Sequence, residues 1–133
     1  GAKPKKIYYY VAAQWKWDAY LKILEKSSTT KTLQKDMMKE LMADQSLRTK
    51  AEKVAKFTAQ TVEEATRVSD ERKQRTIQIK QLDENRVLDE AKEFIAKTLD
   101  AEIHIYDEED EKRYDPENRA QLAKPYRPAI FIE

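Results

Sequence analysis

The sequence contains no cysteine, one histidine and a single glycine, which is its first residue. Without cysteine the chain can form no disulfide, thiolate nucleophile or cysteine-bound zinc site, a composition typical of the reducing cytoplasm. Phosphate-binding loops and dinucleotide-binding fingerprints need internal glycines, so Gly1 can supply neither. His104 alone cannot form a paired-histidine metal site. These absences exclude most common catalytic and cofactor-binding motifs.

Long apolar runs and a charge excess of one sign are also missing. No run approaches the roughly 18 residues of a membrane span, and the basic start precedes too short an apolar stretch for a signal peptide. The chain has 26 basic and 25 acidic residues, a formal net charge of +1, so nucleic-acid binding would need a local patch. From the length of 133 residues we predict one cytoplasmic domain, residues 1–133. We interpret residues 1–2 as a cloning remnant.

The first half of the chain reads as one strand followed by helices. Residues 6–12 are aromatic and β-branched with apolar residues on both faces, which predicts a central strand covered on both sides. Apolar residues then recur at helical spacing from Gln14, from Leu33 to Met42 and over 47–68. The predicted caps of the second and third of these helices are Thr30 and either Asp44 or Ser46.

The second half returns from helix to strand. Residues 69–75 read as a continued helix or a loop, and 76–82 as a strand or, as we favour, a helical or irregular link. Asp83 is predicted to cap a helix to Leu99 that shows one apolar face, made of Val87, Leu88, Ala91, Phe94, Ile95 and Leu99. Residues 101–106 alternate as a strand, 116–123 form a short helix, and 129–132 close the chain as a strand. The predicted fold is α+β and mostly helical, with about three strands, partly parallel, packed against several helices.

Three local features invite a functional interpretation. The acidic run 107–111 supplies five carboxylates, but it lacks the glycine and spacing of a calcium loop, so we favour a solvated turn. A tryptophan pair, Trp15 and Trp17, flanks a lysine as in base-stacking platforms, yet residues two apart on a helix face different ways, which favours a core role. His104 lies opposite Ile103 and Ile105 on its strand, which predicts a surface histidine. None of these features indicates catalysis or a metal site.

The end of the chain is the remaining candidate. Basic residues cluster there, and arginine and lysine hold phosphates while exposed backbone groups can read bases; the cluster comprises Lys112, Arg113, Arg119, Lys124 and Arg127. An ordinary charged surface remains the alternative interpretation. Pro125 and Pro128 stiffen the segment before the apolar run 129–132, so the chain ends as a strand or an extended arm.

Several segments resemble the C-terminal domain of archaeal-type leucyl-tRNA synthetases. They are Ile7-Tyr-Tyr-Tyr-Val-Ala12 with Trp15-Lys-Trp17, then the helix Val87-Leu-Asp-Glu-Ala-Lys-Glu-Phe94 leading into Ala101-Glu-Ile, and above all Arg113-Tyr-Asp-Pro116 and Arg127-Pro-Ala-Ile-Phe-Ile-Glu133. The resemblance covers most of the chain, is most specific in the last twenty residues and is weak from about residue 27 to 80.

The resemblance implies a non-catalytic tRNA-binding domain of a class I leucine-tRNA ligase. It implies contact with the long variable arm of leucine tRNA, with bases read largely by main-chain groups of Pro128, Ile130, Ile132 and Glu133. Lys124, Arg127, Arg113 and Arg119 are then expected to hold phosphates. The expected partners are leucine tRNA and the rest of the parent enzyme, not a membrane or DNA. This fragment is expected to need no cofactor, whereas the parent would use ATP.

Two alternatives to RNA recognition remain open at this point. In the first, the chain is a protein-interaction or structural module whose last strand pairs with a partner or with the parent enzyme. Burial of both Ile130 and Phe131 would favour this module, and an exposed tail would favour RNA. The more distant alternative is a small hydrolase that uses the acidic run.

Overall fold

A computed structural model describes residues 5–27 and 33–133, so the predicted Thr30 cap and the cloning remnant at residues 1–2 lie outside the described residues. The described chain is 57% helical with a three-stranded mixed sheet, which confirms the predicted α+β class. Its elements are β1 (Lys5–Val11), α1 (Gln14–Lys26), α2 (Leu33–Leu41), α3 (Gln45–Arg48), α4 (Ala51–Thr66), α5 (Asp70–Ile79), α6 (Glu84–Leu99), β2 (Ala101–Asp107), a 3-10 turn (Ala120–Leu122) and β3 (Ala129–Ile132).

The described residues group into two compact units. One unit holds residues 5–14 and 82–133, and the other holds 15–27 and 33–81. The first unit contains the whole sheet and α6, and the second contains α2 to α5 and nearly all of α1. The prediction of a single domain over 1–133 remains a prediction. No helix among the described residues is long and apolar enough to cross a membrane.

The sheet unit is organised around β1, the predicted central strand. The strand order is β2-β1-β3, with β1 parallel to β2 and antiparallel to β3. One face of the sheet forms an apolar cluster of Tyr8, Tyr10, Ala120 and Phe131. The other face of β1 and β2 carries Ile7, Val11 and Ile103, all 3% exposed or less. Both faces are therefore covered along β1, which explains why its sequence is apolar throughout rather than alternating.

Helix α6 carries the predicted apolar residues, but only part of that face is covered. Asp83 caps it as predicted, accepting a hydrogen bond from the Arg86 amide at 3.2 Å. Leu88, Ala91 and Ile95 are half-buried, whereas Val87, Phe94 and Leu99 are 46%, 72% and 48% exposed. At 100° per residue the exposed three fall on either side of the covered stripe. The predicted face was therefore wider than the surface that packs.

The helical unit has its own core, to which α1, α2, α3 and α4 contribute. Its buried members are Ala19, Ile23, Leu24, Leu33, Met37, Leu41, Leu47, Val54, Phe57 and Ala65. Met37 therefore fills the core, as the methionine spacing indicates. Trp17 is 2% exposed, and Trp15 packs edge-on against Phe57 at 5.3 Å between ring centroids. This confirms the core interpretation of the tryptophan pair.

Two predicted helices differ from the structure, and a segment whose interpretation was left open is helical. The predicted helix 47–68 is wrong because the chain turns at Thr49 and Lys50, which ends α3 and starts α4; Asp44 caps α3 and accepts from the Ser46 amide at 2.9 Å. Residues 70–79 form α5, in line with the helical interpretation of this segment, and Ser69 caps the helix by accepting a hydrogen bond from the Arg72 amide. The predicted helix 116–123 is reduced to one 3-10 turn, since Asn118 has a φ of 54°.

Left-handed backbone is supplied without glycine in the described chain. Lys80, Asp100, Asn118 and Tyr126 all have positive φ, from 49° to 65°. Asp100 ends α6, whereas Tyr126 lies in the turn just before the last strand. Such conformations cost a side-chain-bearing residue energy that glycine avoids. The strain at Tyr126 matters because this turn sets the path of the tail.

Candidate functional site

The outer edge of β3 presents backbone groups that take no part in the ladder with β1. Lys6 and Glu133 exchange both backbone hydrogen bonds, at 3.1 and 2.8 Å. Hydrogen-bonded and non-hydrogen-bonded pairs alternate along an antiparallel ladder, so Phe131 and Ala129 also point their amide and carbonyl groups toward β1. The backbone groups of Ile130 and Ile132 point the other way. Since β3 is an outer strand of the described sheet, these groups lie at its open edge.

The side chains of the tail alternate in the same way. Phe131 is 8% exposed and packs edge-on against Tyr8, with 5.9 Å between ring centroids. Ile130 and Ile132 are 45% and 59% exposed. Burial of both Ile130 and Phe131 would have favoured a protein-interaction module, but only Phe131 is buried. Phe131 anchors the strand, and the Ile130 side chain is exposed. The tail is a fixed strand with an exposed outer edge rather than a loose arm.

A tight turn with a proline at its second position precedes this strand and sets its direction. Lys124 and Arg127 exchange backbone hydrogen bonds at 3.0 and 2.8 Å, and between them lie Pro125, which is buried, and Tyr126, which is exposed. A proline followed by a residue at φ 65° is the pattern of a type II turn, in which glycine is usual at the third position. The Tyr126 amide donates to Glu84 Oε1 at 3.3 Å. Glu84, at the start of α6, thus holds the turn that leads into β3.

Glu84 is a buried carboxyl group. It is 6% exposed, and burial raises its pKa, while the hydrogen bond from the Tyr126 amide opposes that rise. A carboxyl whose pKa is raised on folding holds its proton more tightly in the folded state. Its contribution to stability is therefore fully present below the pKa of the unfolded chain, about 4.3, and is lost as the pH rises through the raised value.

Two substitutions of Glu84 separate the roles of charge and hydrogen bond. Glutamine keeps an oxygen acceptor without the buried charge. We therefore expect the free energy of unfolding of Glu84→Gln at neutral pH to be no lower than that of wild type. We also expect this free energy to fall less between pH 4 and pH 7 than it does in wild type. Leucine leaves the Tyr126 amide unpaired, and we expect Glu84→Leu to lose about 1–3 kcal/mol. Urea unfolding at several pH values measures both effects. Equal stability of the two variants at neutral pH would contradict the role given to the hydrogen bond.

The predicted basic residues lie in different settings. Arg119 lies closest to the open edge: its Nη1 donates to the Ile130 carbonyl at 3.4 Å, and its guanidinium lies 5.8 Å from the Phe131 ring centroid. Arg127 is exposed in the turn, and Lys124 there is half-buried. Arg113 instead turns back, with its Nε 3.6 Å from the Asp115 carboxylate. Lys112 is exposed in the preceding acidic segment.

The acidic run is a turn, as predicted, with one exception. Glu109, Asp110 and Glu111 are exposed. Glu108 is 2% exposed, and its Oε1 accepts a hydrogen bond from the Ala13 amide at 2.8 Å. Among the described residues no group of three or more His, Asp or Glu side chains could hold a metal ion. Glu108 is a structural carboxylate, and the prediction that it is solvated is wrong.

Sequence reasoning missed the residues that hold the tail from a distance. Glu84 and Tyr126 are 42 positions apart, and Tyr10, whose hydroxyl donates to the Tyr114 carbonyl, is 104 positions from its acceptor. Burial, with smaller effects from nearby acidic groups such as Asp115, raises the pKa of Tyr10 to about 12. No sequence spacing signals such contacts. The one available clue was the pair of prolines, which marks the turn but not its support.

These features define the class: a helix-rich α+β domain with an exposed, rigidly supported edge strand at its end. Comparison with known proteins gives the particular relatives. The chain is 35% identical over 130 residues to the leucine–tRNA ligase of Methanococcoides burtonii, which covers 98% of this chain and 13% of the relative. It is 36% identical over 129 residues to the leucine–tRNA ligase of Pyrococcus furiosus, 97% of this chain and 11% of the relative.

The resemblance to archaeal leucyl-tRNA synthetases is thereby confirmed over nearly the whole chain, and it is consistent with their C-terminal domain. The chain spans only about an eighth of the length of the curated relatives it matches. No protein-family model matches it. The comparison supports the identity of the domain but assigns no role to individual residues.

Proposed function

We propose that this domain recognises the long variable arm of leucine tRNA through the outer edge of β3 and so supports aminoacylation by a parent leucine–tRNA ligase. The observation that carries the proposal is the outward direction of the backbone groups of Ile130 and Ile132 on an outer strand. Amide and carbonyl groups in this arrangement match the donors and acceptors on the edges of unpaired bases. Glu133 adds a carboxylate at the end of the same strand.

Cations beside this edge are suited to hold phosphates. Arg119 reaches the Ile130 carbonyl, and Arg127 is exposed two residues before β3 begins at Ala129. Lys124 is a third candidate in the same turn. Arg113 and Arg119 each already contact a carboxylate, Asp115 at 3.6 Å and Glu117 at 2.9 Å, so a phosphate would have to share or displace these contacts. With about three phosphate contacts, we expect affinity to fall with salt at a slope no steeper than about −3.

The catalytic and ATP-dependent steps are assigned by this proposal to parts of the parent outside these 133 residues. The domain acts in the cytoplasm, where it keeps the variable arm in register with the rest of the enzyme. Its isolated affinity is modest, because a small interface must offset the entropy lost on association.

Removing the variable arm tests the proposal directly. We expect the domain to bind leucine tRNA at least about tenfold more tightly than a copy whose variable arm is shortened to a few nucleotides, as measured by gel shift or fluorescence anisotropy at 50 and 150 mM salt. A transfer RNA with a naturally short arm serves as the control. Equal affinity for all three would refute variable-arm recognition.

One observation favours a second candidate, a strand-pairing module. The open edge of β3 and the exposed Ile130 and Ile132 side chains could accept a strand from a partner or from the parent enzyme. Such pairing would protect the Ile130 and Ile132 amides from hydrogen exchange in the parent without tRNA. Protection that appears only when tRNA is added favours RNA recognition instead.

A further inference from the structure

A second, aromatic surface lies beside Glu133. It consists of Tyr8, His104, Tyr106 and Tyr114, which we call the aromatic surface. The Tyr8 and His104 rings stack at 5.0 Å and 14°, and the Tyr106 ring lies within 7° of parallel to both. Tyr114 packs against Tyr8 at 4.8 Å. Four rings from β1, β2 and the 107–119 segment therefore meet on one face of the sheet.

This arrangement follows from the register of the sheet. Tyr8 pairs with His104 across β1 and β2, and with Phe131 across β1 and β3. Neighbouring strands are about 4.8 Å apart, which is close to a stacking distance, so rings at paired positions can lie face to face. Since β2 is an outer strand of the described sheet, no further strand continues the stack beyond His104.

Two of the rings are accessible. The His104 side chain is 34% exposed, and Tyr114 is 41% exposed. Tyr8 beneath them is 6% exposed and fixes their spacing. A buried ring that supports exposed rings is a rigid platform, because the exposed rings lose little further freedom when something stacks on them.

The surroundings indicate a base rather than a phosphate. His104 Nε2 lies 2.9 Å from the Glu102 carboxylate, and the Tyr114 hydroxyl bonds to Glu133, which raises the pKa of Tyr114. Two carboxylates would repel a phosphate, but they are acceptors for the amino groups of nucleobases. Aromatic rings on a sheet face are a general means of stacking unpaired bases.

We propose that the aromatic surface is a stacking site for an unpaired base of the RNA that the β3 edge reads, with Tyr114 and His104 making the contact. This inference rests on the proposed function. Continuity supports it: Tyr114 bonds to Glu133, the last residue of the tail, and Phe131 packs against both Tyr8 and Tyr114. One base can therefore lie on the rings while its neighbour meets the strand edge.

The test uses leucine tRNA labelled with 2-aminopurine, in turn, at each unpaired nucleotide of its variable-arm tip. Stacking quenches this fluorophore, so we expect one labelled position to be quenched when the wild-type chain binds. His104→Ala and Tyr114→Leu should each abolish that quenching and weaken binding about tenfold. His104→Phe and Tyr114→Phe keep flat rings and should retain most of both.

Phe94→Ala is the matched control, because Phe94 is an exposed aromatic ring, 72% exposed, on α6 rather than in the aromatic surface. It should change neither quenching nor affinity. If binding is arm-dependent but His104→Ala and Tyr114→Leu behave as wild type, the stacking site is refuted and the edge-reading proposal stands. If wild type shows no arm dependence, both fail.

Discussion

Replacing Phe131 with alanine is expected to lower the free energy of unfolding of the sheet unit by about 3–5 kcal/mol. The ring is 8% exposed and contacts Tyr8, Tyr114 and the Arg119 guanidinium. Its removal opens a cavity beneath a strand of only four residues. Such a strand has few backbone hydrogen bonds with which to compensate, so the loss should also loosen β3 from β1.

Urea unfolding followed by circular dichroism, with hydrogen exchange of the β1 amides, measures this effect. Trp15 and Trp17 both belong to the helical unit, so their fluorescence reports that unit and helps to assign the transition. Ile132→Ala is the control, because it removes a 59% exposed side chain from the same strand and should cost less than about 0.5 kcal/mol. A loss below about 1 kcal/mol for Phe131→Ala would show that Phe131 does not anchor the tail.

Because Phe131 anchors the strand, variants of the tail must be chosen so that Phe131 stays in place. If the tail only read bases, deleting residues 130–133 would remove base reading and leave the fold largely intact. We expect the deletion to destabilise the fold, since it would take Phe131 out of the apolar cluster and the Lys6–Glu133 hydrogen bonds out of the sheet. A loss of tRNA binding in that deletion could then reflect unfolding alone. Point substitutions at the outer edge are the informative variants.

Elements with a strong local pattern were predictable from the sequence. The apolar run at β1 indicated a central strand, and the spacing after Asp83 indicated α6 with its cap. Both are local properties of the chain. The break between α3 and α4 was not predictable, because Thr49 and Lys50 are ordinary helix residues and only the packing of Leu47 and Val54 in one core requires the turn.

The turn that holds the tail could not be predicted from the sequence either, because it depends on contacts between distant segments. Turns with positive φ are normally found through glycine, and this chain has none beyond Gly1. Tyr126 takes that conformation because buried Pro125 precedes it and Glu84 accepts its amide. The aromatic surface was hidden likewise: His104 reads as a surface residue until the register places it against Tyr8. Both depend on pairings between distant segments.

Replacing Ile132 with proline is expected to remove the ability to distinguish variable-arm sequences, by about tenfold or more in relative affinity, while the fold persists. The Ile132 amide points away from β1, so proline removes an outward donor without removing a bond of the ladder, and outer strands accept proline at such positions. A single unmatched hydrogen bond in an otherwise complementary site typically costs about 1–3 kcal/mol, which corresponds to roughly five- to 150-fold.

The matched control is Ile132→Val, which keeps the amide and most of the apolar side chain. We expect it to bind every tRNA variant as wild type does, and circular dichroism should show that both variants are folded. If Ile132→Pro discriminates as well as Ile132→Val, that amide is not a reader. If both variants lose discrimination, the side chain rather than the backbone carries it. Loss in the proline variant alone is the result that backbone reading requires, because only that variant changes the hydrogen bonds offered at the β3 edge while the apolar anchor, Phe131, stays in place.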